Sequence, residues 1–150
     1  MAILRPPEGD ELADLSALCL RSKAYWGYDT AFLAACVDEL TLTKQDLQSD
    51  PIIVLEDQLG LAGVAQLSLD TDGCFLEKLF VDTDRIGRGY GKRLFDWAVD
   101  TARARGAHQF IIEADPGAAP FYRHMGCVRA GEALSGSVAG RALPRFVYTL

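Results

Sequence analysis

The sequence has no long apolar run, no closely spaced cysteines and only two histidines. No segment approaches the roughly 18 apolar residues that a membrane-spanning helix needs, and the N-terminus lacks the basic and then apolar pattern of a leader peptide. The four cysteines form no Cys-x-x-Cys pair and have no histidines at zinc-ligand spacing. We therefore expect a soluble, cytoplasmic protein with reduced, mostly buried thiols, no membrane partner and no metal.

Positive charge is also scarce. Lys and Arg number 15 against 21 Asp and Glu, which gives a net charge of -6. Nucleic-acid phosphates repel such a chain, so we expect no nucleic-acid partner, although a local positive patch is compatible with an acidic whole. The length of 150 residues lies within the range of about 100 to 200 residues that one domain usually spans. The sequence therefore predicts a single domain over residues 1–150.

Apolar periodicity and turn residues predict the order of secondary-structure elements. That order is strand, two helices, three strands, helix, strand, helix and two strands, or β-α-α-β-β-β-α-β-α-β-β. The predicted segments are 3–5, 10–19, 29–40, 52–55, 61 onward, 74–81, 89–105, 108–114, 118–125, 127–131 and 145–150. This order is typical of an α/β fold with a mixed sheet and helices on both faces. A right-handed crossover through the long helix makes its flanking strands parallel neighbours.

The junction between the third meander strand and the long helix is rich in glycine. Gly87, Gly89 and Gly91 occupy alternate positions, which allows a ligand to approach the backbone closely. The dipole of the following helix, with Arg88 and Lys92, adds positive potential. This pattern predicts a site for a diphosphate.

Two common phosphate-binding patterns do not fit this junction. In the P-loop pattern G-x-x-x-x-G-K-[ST], Ile86 stands at the first glycine and Arg93 at the Ser or Thr. In the dinucleotide pattern G-x-G-x-x-G, Gly87 and Gly89 are followed by Lys92 where the third glycine is required. A different diphosphate carrier is therefore favoured.

The run Ile86-Gly87-Arg88-Gly89-Tyr90-Gly91 resembles the acyl-CoA pyrophosphate loop of the GNAT superfamily of N-acetyltransferases, [QR]-x-x-G-x-[GA]. Ile86 departs from the usual Gln or Arg, and we expect Arg85 and Arg88 to act as substitute cations. The resemblance implies acetyl-CoA as the acyl donor, with CoA as the product. It also implies the GNAT acyltransferase fold.

A second run, Asp115 to Cys127, resembles the GNAT pattern N-x-x-A-x-x-[FL]-Y-x-x-x-G-F. Ala118, Tyr122 and Gly126 match in register, whereas Asp115 replaces the asparagine that contacts the pantetheine arm of CoA in the family. The resemblance implies that Tyr122 donates a proton to the CoA thiolate. The alternative is a half-buried tyrosine that only packs.

The strand before the loop carries a candidate base. Alternation of side chains places Glu77 on the face of Leu79 and Val81. The resemblance implies that Glu77 takes the proton of the acceptor amine, whereas the alternative is an ion pair with Lys78, Arg88 or another cation. It also implies that the main chain of Leu79, Phe80 and Val81 binds the pantetheine amides and the thioester carbonyl.

Two further segments are candidates for the acceptor pocket. Tyr25, Trp26 and Tyr28 lie between the first two helices, where the fold resembled commonly places the acceptor, although core or dimer packing is an equal alternative. Arg141 lies in a loop of small residues that is able to close over the acceptor. It is a candidate to bind a carboxylate, and the alternative is a solvated side chain.

The resemblance implies an N-acetyltransferase that acts on a primary amine of a small molecule or peptide. Transfer is direct, with both substrates bound together, and needs no metal and no covalent enzyme intermediate. We also expect a homodimer. The alternative is a non-catalytic acyl-CoA sensor or interaction domain.

Overall fold

Seven strands form one mixed sheet in the order β1-β2-β3-β4-β5-β7-β6. The structure is a computed structural model that describes residues 1–150. The strands are β1 Ile3–Arg5, β2 Ile52–Asp57, β3 Gly60–Asp70, β4 Gly73–Val81, β5 Gln109–Glu113, β6 Val128–Leu134 and β7 Ala142–Thr149. The helices are α1 Leu12–Ala24, α2 Thr30–Leu40, α3 Lys44–Ser49, α4 Tyr90–Ala104 and α5 Ala119–His124. The α/β fold with a mixed sheet is as predicted.

The parallel pair at the centre of the sheet creates the main cleft. Strands β4 and β5 are parallel neighbours joined through α4, as predicted, and all other neighbours are antiparallel. Their ladder contains only the pair Phe75 and Ile111. Beyond Phe75 the two strands therefore diverge, and β4 has no partner on its β5 side. Clefts at the carboxyl ends of parallel strands are common ligand sites in open α/β sheets.

The predicted order omits one short helix. Helix α3 begins after Thr43, which forms a capping box with Asp46; this signal stands in the sequence as Thr-x-x-Asp and was missed. The two last strands are also longer than predicted. A register shift between Arg129 and Glu132 absorbs Gly131, so β6 continues past that glycine to Leu134.

Helix α4 packs on the sheet through five buried residues. They are Leu94, Phe95, Ala98, Val99 and Ala102. The helix therefore buries two adjacent rows of side chains. Phe95 is 1% exposed, and its ring packs edge-on against Phe110 with centroids 5.5 Å apart.

The sheet has helices on both faces, and each face has its own core. Helices α1 and α2 cover one face through Leu15, Leu18 and Cys36, and α4 and α5 cover the other through Phe95 and Tyr122. All four cysteines are buried and unpaired, as predicted. No helix combines the length and the apolar character that crossing a membrane requires.

Candidate active site

Two cavities meet where β4 and β5 diverge. The loop cavity, of about 570 Å³, lies against the glycine-rich junction at the start of α4. The charged cavity, of about 180 Å³, lies between β4, β5 and the helices α1 and α2. Both are lined by Trp26, Leu79, Ala118 and Tyr122, so these residues mark the junction.

The loop cavity is bordered by main-chain amides that have no acceptor in the chain. None of the amides from Ile86 to Lys92 donates a hydrogen bond to a carbonyl outside the regular helices and strands, whereas Arg85 and Arg93 on either side do. Gly89 is the N-cap of α4, so these amides stand at the positive end of the helix dipole. Such a row of free donors is a cradle for an anion.

Two of the three glycines in this loop need their left-handed backbone. Gly87 and Gly89 have φ angles of 86° and 79°, and a Cβ at either position would meet no atom within 4 Å. Gly91 has a different role, because a Cβ there would lie 3.0 Å from Cε1 of Phe121. Its hydrogen side chain lets α5 pack against the first turn of α4.

The cations beside the loop differ from the prediction. Arg85 is 5% exposed and donates to Asp57 at 3.2 Å and to Asp84 at 3.1 Å. It holds the base of the loop and is not a substitute phosphate ligand, because its charge is already compensated by carboxylates. Arg88 and Lys92 are the accessible cations, with side chains 47% and 65% exposed.

Long-range ion pairs hold this loop in position. Arg21 of α1 donates two hydrogen bonds to Asp82, at 2.8 and 3.2 Å, and this arginine keeps the pKa of Asp82 below its ordinary value. The Tyr90 hydroxyl donates to Asp57 at 3.1 Å. The loop is therefore tied to both α1 and β2, which preorganises its amides.

Tyr122 of α5 lies at the junction of the two cavities. It is 6% exposed, and its ring packs edge-on against Phe95 and Phe121. Its hydroxyl has no hydrogen-bond partner in the chain and is not fully buried. The hydroxyl is therefore accessible from the cleft, which Tyr122 lines. Burial raises the pKa of Tyr122. The phenol therefore stays protonated near neutral pH and is able to donate its proton.

A β-bulge in β4 decides where Glu77 points. Gln66 pairs with Lys78 and Leu67 pairs with Leu76, which leaves Glu77 as the extra residue. The predicted face is therefore wrong, since simple alternation breaks at this point. Leu79 packs on the α4 side, whereas Glu77 turns to the opposite side of the sheet.

Glu77 is exposed and lines the charged cavity. Its Oε1 accepts a hydrogen bond from the Ser68 hydroxyl at 2.7 Å. Glu77 takes part in no salt bridge. The ion pair with Lys78, Arg88 or another cation, which was the alternative to a role as base, is therefore not formed. The carboxylate therefore keeps a free oxygen toward the cavity.

The main chain of β4 runs along both cavities. Leu79 lines both, Phe80 lines the charged cavity and Val81 the loop cavity. Because β5 has already diverged from β4, the main-chain groups on that side lack a strand partner. They are free to bind an extended amide-containing ligand in the way that a strand would.

The carboxylate of Asp115 is engaged within the chain. It accepts from Lys23 at 2.8 Å, the Tyr28 hydroxyl at 2.7 Å and the Gly117 amide at 2.9 Å, with Arg141 at 3.4 Å. Burial acts against the charge, but these donors keep the pKa of Asp115 below its ordinary value. Asp115 lines the charged cavity and not the loop cavity, and its contact with the cofactor stays a prediction.

The aromatic segment between α1 and α2 divides between the two cavities. Tyr25 lines the loop cavity and Trp26 lines both. Trp26 packs on Gly117, where a Cβ would lie 2.6 Å from the indole ring. Tyr28 stacks on Phe32 with centroids 3.9 Å apart and is held by Asp115. Tyr28 lines neither cavity and instead supports Asp115 and Arg141, which line the charged cavity.

Arg141 is fixed and is not a freely solvated side chain. Its Nη2 donates to the Tyr28 hydroxyl at 2.6 Å. Its guanidinium lies 5.1 Å from the Tyr28 ring centroid and 4.7 Å from that of Phe32. With 17% of the side chain exposed, Arg141 presents its remaining donors to the charged cavity.

Sequence reasoning missed several charged residues of this cavity. They are Lys23, Glu39, Lys78 and Glu113. Each belongs to a different element, namely α1, α2, β4 and β5, so no local spacing connects them. The one available signal was the charge of Lys78, next to Glu77, in a strand whose other residues are uncharged.

Comparisons with known proteins identify relatives at the level of family and fold. A family model described as the acetyltransferase (GNAT) family matches residues 19–127. A search of curated protein sequences finds no match. The match to the family model covers both the glycine-rich loop and Tyr122.

Solved structures share the fold over nearly the whole chain. A GCN5-related N-acetyltransferase from Rhodopseudomonas palustris has a TM-score of 0.83 at 23% identity, over 100% of this chain and 96% of that chain. The PaiA N-acetyltransferase from Thermoplasma acidophilum, in complex with coenzyme A, has 0.79 at 13% identity, over 100% and 99%. A ribosomal-protein alanine N-acetyltransferase from Escherichia coli has 0.68 at 16% identity, over 98% and 91%.

Proposed function

The chain belongs to the GNAT family of acetyltransferases, and on this basis we propose that it transfers an acetyl group from acetyl-CoA to a primary amine of a small molecule or peptide. The observation that carries the proposal is the row of free main-chain amides at residues 86–92, which border the same cavity as Tyr122. The amides fit a diphosphate, and the tyrosine fits a leaving thiolate. The proposal takes residues 1–150 as one GNAT domain.

The residues of the loop cavity fit acetyl-CoA as the acyl donor. Gly87 and Gly89 leave open space over the amides, and Arg88 and Lys92 add positive charge at the rim. The unpartnered main chain of Leu79 to Val81 is suited to the amides of a pantetheine arm. When bound, acetyl-CoA supplies the activated acetyl group. Coenzyme A in the Thermoplasma acidophilum relative supports this assignment.

Two side chains move protons in the proposed reaction. Glu77, with one oxygen free, accepts a proton from the acceptor ammonium, directly or through water. Tyr122, whose pKa is raised by burial, donates its proton to the departing thiolate. The acceptor nitrogen loses two protons over one turnover, one from the ammonium to Glu77 and one after the C–N bond has formed. One proton ends on the CoA thiol through Tyr122 and the other is released to solvent, so that Glu77 and the phenol return to their starting states.

The arrangement of the cavities favours direct transfer. The loop cavity and the charged cavity share Leu79 and Tyr122, so a donor in one and an acceptor in the other meet at that point. No covalent enzyme intermediate is needed. An amine acceptor is supported by the Escherichia coli relative, whose acceptor is an alanine of a ribosomal protein.

A cytoplasmic location and a homodimer are further parts of the proposal. The edge strand β6 exposes Val128 and Leu134, at 68% and 78%, and an exposed apolar edge is compatible with pairing between two copies. Light scattering coupled to size-exclusion chromatography measures the mass in solution. A monomer at all concentrations removes the dimer from the proposal and leaves the activity untouched.

The experiment that tests the activity has two stages. First, the melting temperature is measured with acetyl-CoA, CoA, NAD and ATP, because a ligand that binds only the folded state raises it. We expect a rise with the two CoA compounds alone. Second, release of CoA is followed with acetyl-CoA and a panel of amines. Binding of acetyl-CoA without amine-dependent CoA release would support a sensor and overturn the proposed transfer.

A further inference from the structure

The charged cavity contains side chains of both signs that the transfer mechanism does not use. Asp115 is already occupied by its own cluster. Besides Glu77, which is the proposed base, the other charged groups lining the cavity are Lys23, Lys78, Arg141, Glu39 and Glu113. Such a mixture is suited to a ligand that carries both a positive and a negative group.

Arg141 supplies the first anion-binding group. Only its Nη2 is hydrogen-bonded in the chain. Its Nη1 and Nε have no partner and are not buried, because Arg85 Nε is the sole buried side-chain atom without one. Stacking on Tyr28 and Phe32 holds the guanidinium plane in place. A guanidinium that is held in one plane and keeps free N–H groups is able to donate a charge-assisted hydrogen bond to a carboxylate.

Lys78 supplies the second anion-binding group of the charged cavity. It is 9% exposed, and its only hydrogen bond goes to the neutral Gln66 amide oxygen at 3.2 Å. No carboxylate lies within salt-bridge distance of its ammonium group, in contrast to Lys23, which pairs with Asp115. A buried cation without a counter-charge is costly, and an anionic group of a ligand in this cavity would compensate it.

The opposite side of the cavity is acidic. An adjoining cavity of about 220 Å³ is lined by Glu39, Asp70, Glu77 and Glu113 and by no basic side chain. These carboxylates attract a cationic amine toward the proposed base. The Glu39 carboxylate is also bonded to the Ser137 hydroxyl, which ties the loop that carries Arg141 to α2.

We propose that the acceptor is a compact aminocarboxylate, an amino acid in its zwitterionic form, with its carboxylate on Arg141 and Lys78 and its amine toward Glu77. This assignment rests on the proposed acetyl transfer. The charged cavity of about 180 Å³ is close to the roughly 150 Å³ of a cavity that holds benzene, which sets the size to a small molecule. A diamine would fit the acidic side but would leave Lys78 without a counter-charge and the free N–H groups of Arg141 without an acceptor.

The test compares pairs of acceptors that differ only in the carboxylate. Each amino acid is measured beside its amide, and diamines are included, with CoA release as the readout. We expect kcat/KM to be at least about tenfold higher for the acid than for the amide, since the amide forms only neutral hydrogen bonds in place of charge-assisted ones. Diamines are expected to be poor acceptors.

Substitution of Arg141 sharpens the test. R141Q is expected to raise KM for the amino acid about tenfold or more while the values for the amide change little, and R141K is expected to restore part of the loss. R103Q removes an exposed charge on α4 and is the matched control. Equal loss for acid and amide in R141Q would mean a structural role only and would overturn the proposal.

A binding measurement separates this inference from the proposed function. Amino acids and their amides are titrated into the complex with CoA by calorimetry, which needs no turnover. Preferential binding of the acids supports the site even if transfer is slow. Turnover with amides or diamines equal to that with amino acids refutes the aminocarboxylate and leaves the acetyltransferase intact. Absence of any acetyl-CoA binding refutes the proposed function itself.

Discussion

The two cavities are built in opposite ways. The loop cavity relies on the main-chain groups of the glycine-rich junction, and most of its lining comes from residues 79–92 and 117–125, with Ser22, Tyr25 and Trp26 completing it. The charged cavity relies on side chains from α1, α2, β4, β5 and the loop before β7. Backbone recognition tolerates side-chain change, which explains why Ile86, half exposed at the loop, is compatible with the site. Side-chain recognition does not, so under the proposed function we expect acceptor specificity to reside in the charged cavity.

Tyr122 belongs to both cavities, and its removal therefore has the largest expected effect. Tyr122→Phe should lower kcat by about a thousandfold, within the range of general acid catalysis, because the hydroxyl that opens to the cleft is lost. The affinity for acetyl-CoA should remain within about twofold, since a single ring oxygen is removed. Steady-state kinetics and calorimetry measure the two quantities separately.

Tyr148→Phe is the matched control for this variant. Tyr148 packs against Phe95 and Phe110 in the same core but lines neither cavity. It should keep the activity of the unmodified protein. If both variants retained full kcat, Tyr122 would have only the packing role, and water would have to supply the proton.

The second prediction concerns the main-chain cradle. Gly89→Asp adds strain at a φ of 79°, worth about 1 to 2 kcal/mol, and places a negative charge beside the diphosphate. Kd for acetyl-CoA should rise about a hundredfold, which is a loss of about 2.8 kcal/mol of binding free energy at about 1.4 kcal/mol for each factor of ten. Calorimetry checks this value.

Gly131→Asp provides the control, because Gly131 has a φ of 87° and equally open surroundings but lies on the edge strand β6. Its strain should lower stability without changing Kd. An unchanged affinity for acetyl-CoA in Gly89→Asp would mean that this loop does not bind the diphosphate.

Most of the loop cavity could be predicted from the sequence because its determinants are close together in the chain. Three alternate glycines before an amphipathic helix, and Tyr122 at a fixed distance from Gly126, are local patterns. The exception is Arg85, whose burial depends on Asp57 in another strand. The sequence pattern indicated Arg85 as a cation beside the loop, but it did not indicate Asp57 as the partner of that cation.

The charged cavity could not be predicted in the same way. Alternation failed at Glu77, since a bulge depends on the register between two strands. The hydrogen bond between Tyr28 and Asp115 spans 87 positions, and nothing near either residue indicates it. The aromatic residues before α2 were predicted as one group at the acceptor, but only the fold separates Tyr25 and Trp26, which line the cavities, from Tyr28, which lines neither.

The third prediction tests whether the charged cluster also stabilises the fold. Asp115→Asn leaves Lys23 and Arg141 without their carboxylate, whose side chain is 9% exposed. The free energy of unfolding at neutral pH should fall by about 2 kcal/mol, less than for a fully buried pair because both cations are partly exposed. Urea unfolding measures the difference.

The pH dependence of this effect has a definite sign. Because the folded-state pKa of Asp115 is lowered, its contribution is complete above the unfolded value of about 3.9 and is lost as the pH falls through the folded value. The two proteins should therefore converge in acid. Asp96→Asn, which breaks an exposed pair with Lys92, should cost at most about 0.5 kcal/mol. Equal losses in the two variants would contradict a special role for the cluster.

The smallest effect is expected at the rim of the loop cavity. Arg88→Gln removes a side chain that is 47% exposed, so solvent and salt screen its charge. Kd for acetyl-CoA should rise only about threefold, as expected for one screened contact, and the difference should vanish at high salt. Arg129→Gln, whose side chain is 43% exposed on β6, is the control and should change nothing. A loss as large as that in Gly89→Asp would mean that side-chain charge, and not the row of main-chain amides, holds the diphosphate.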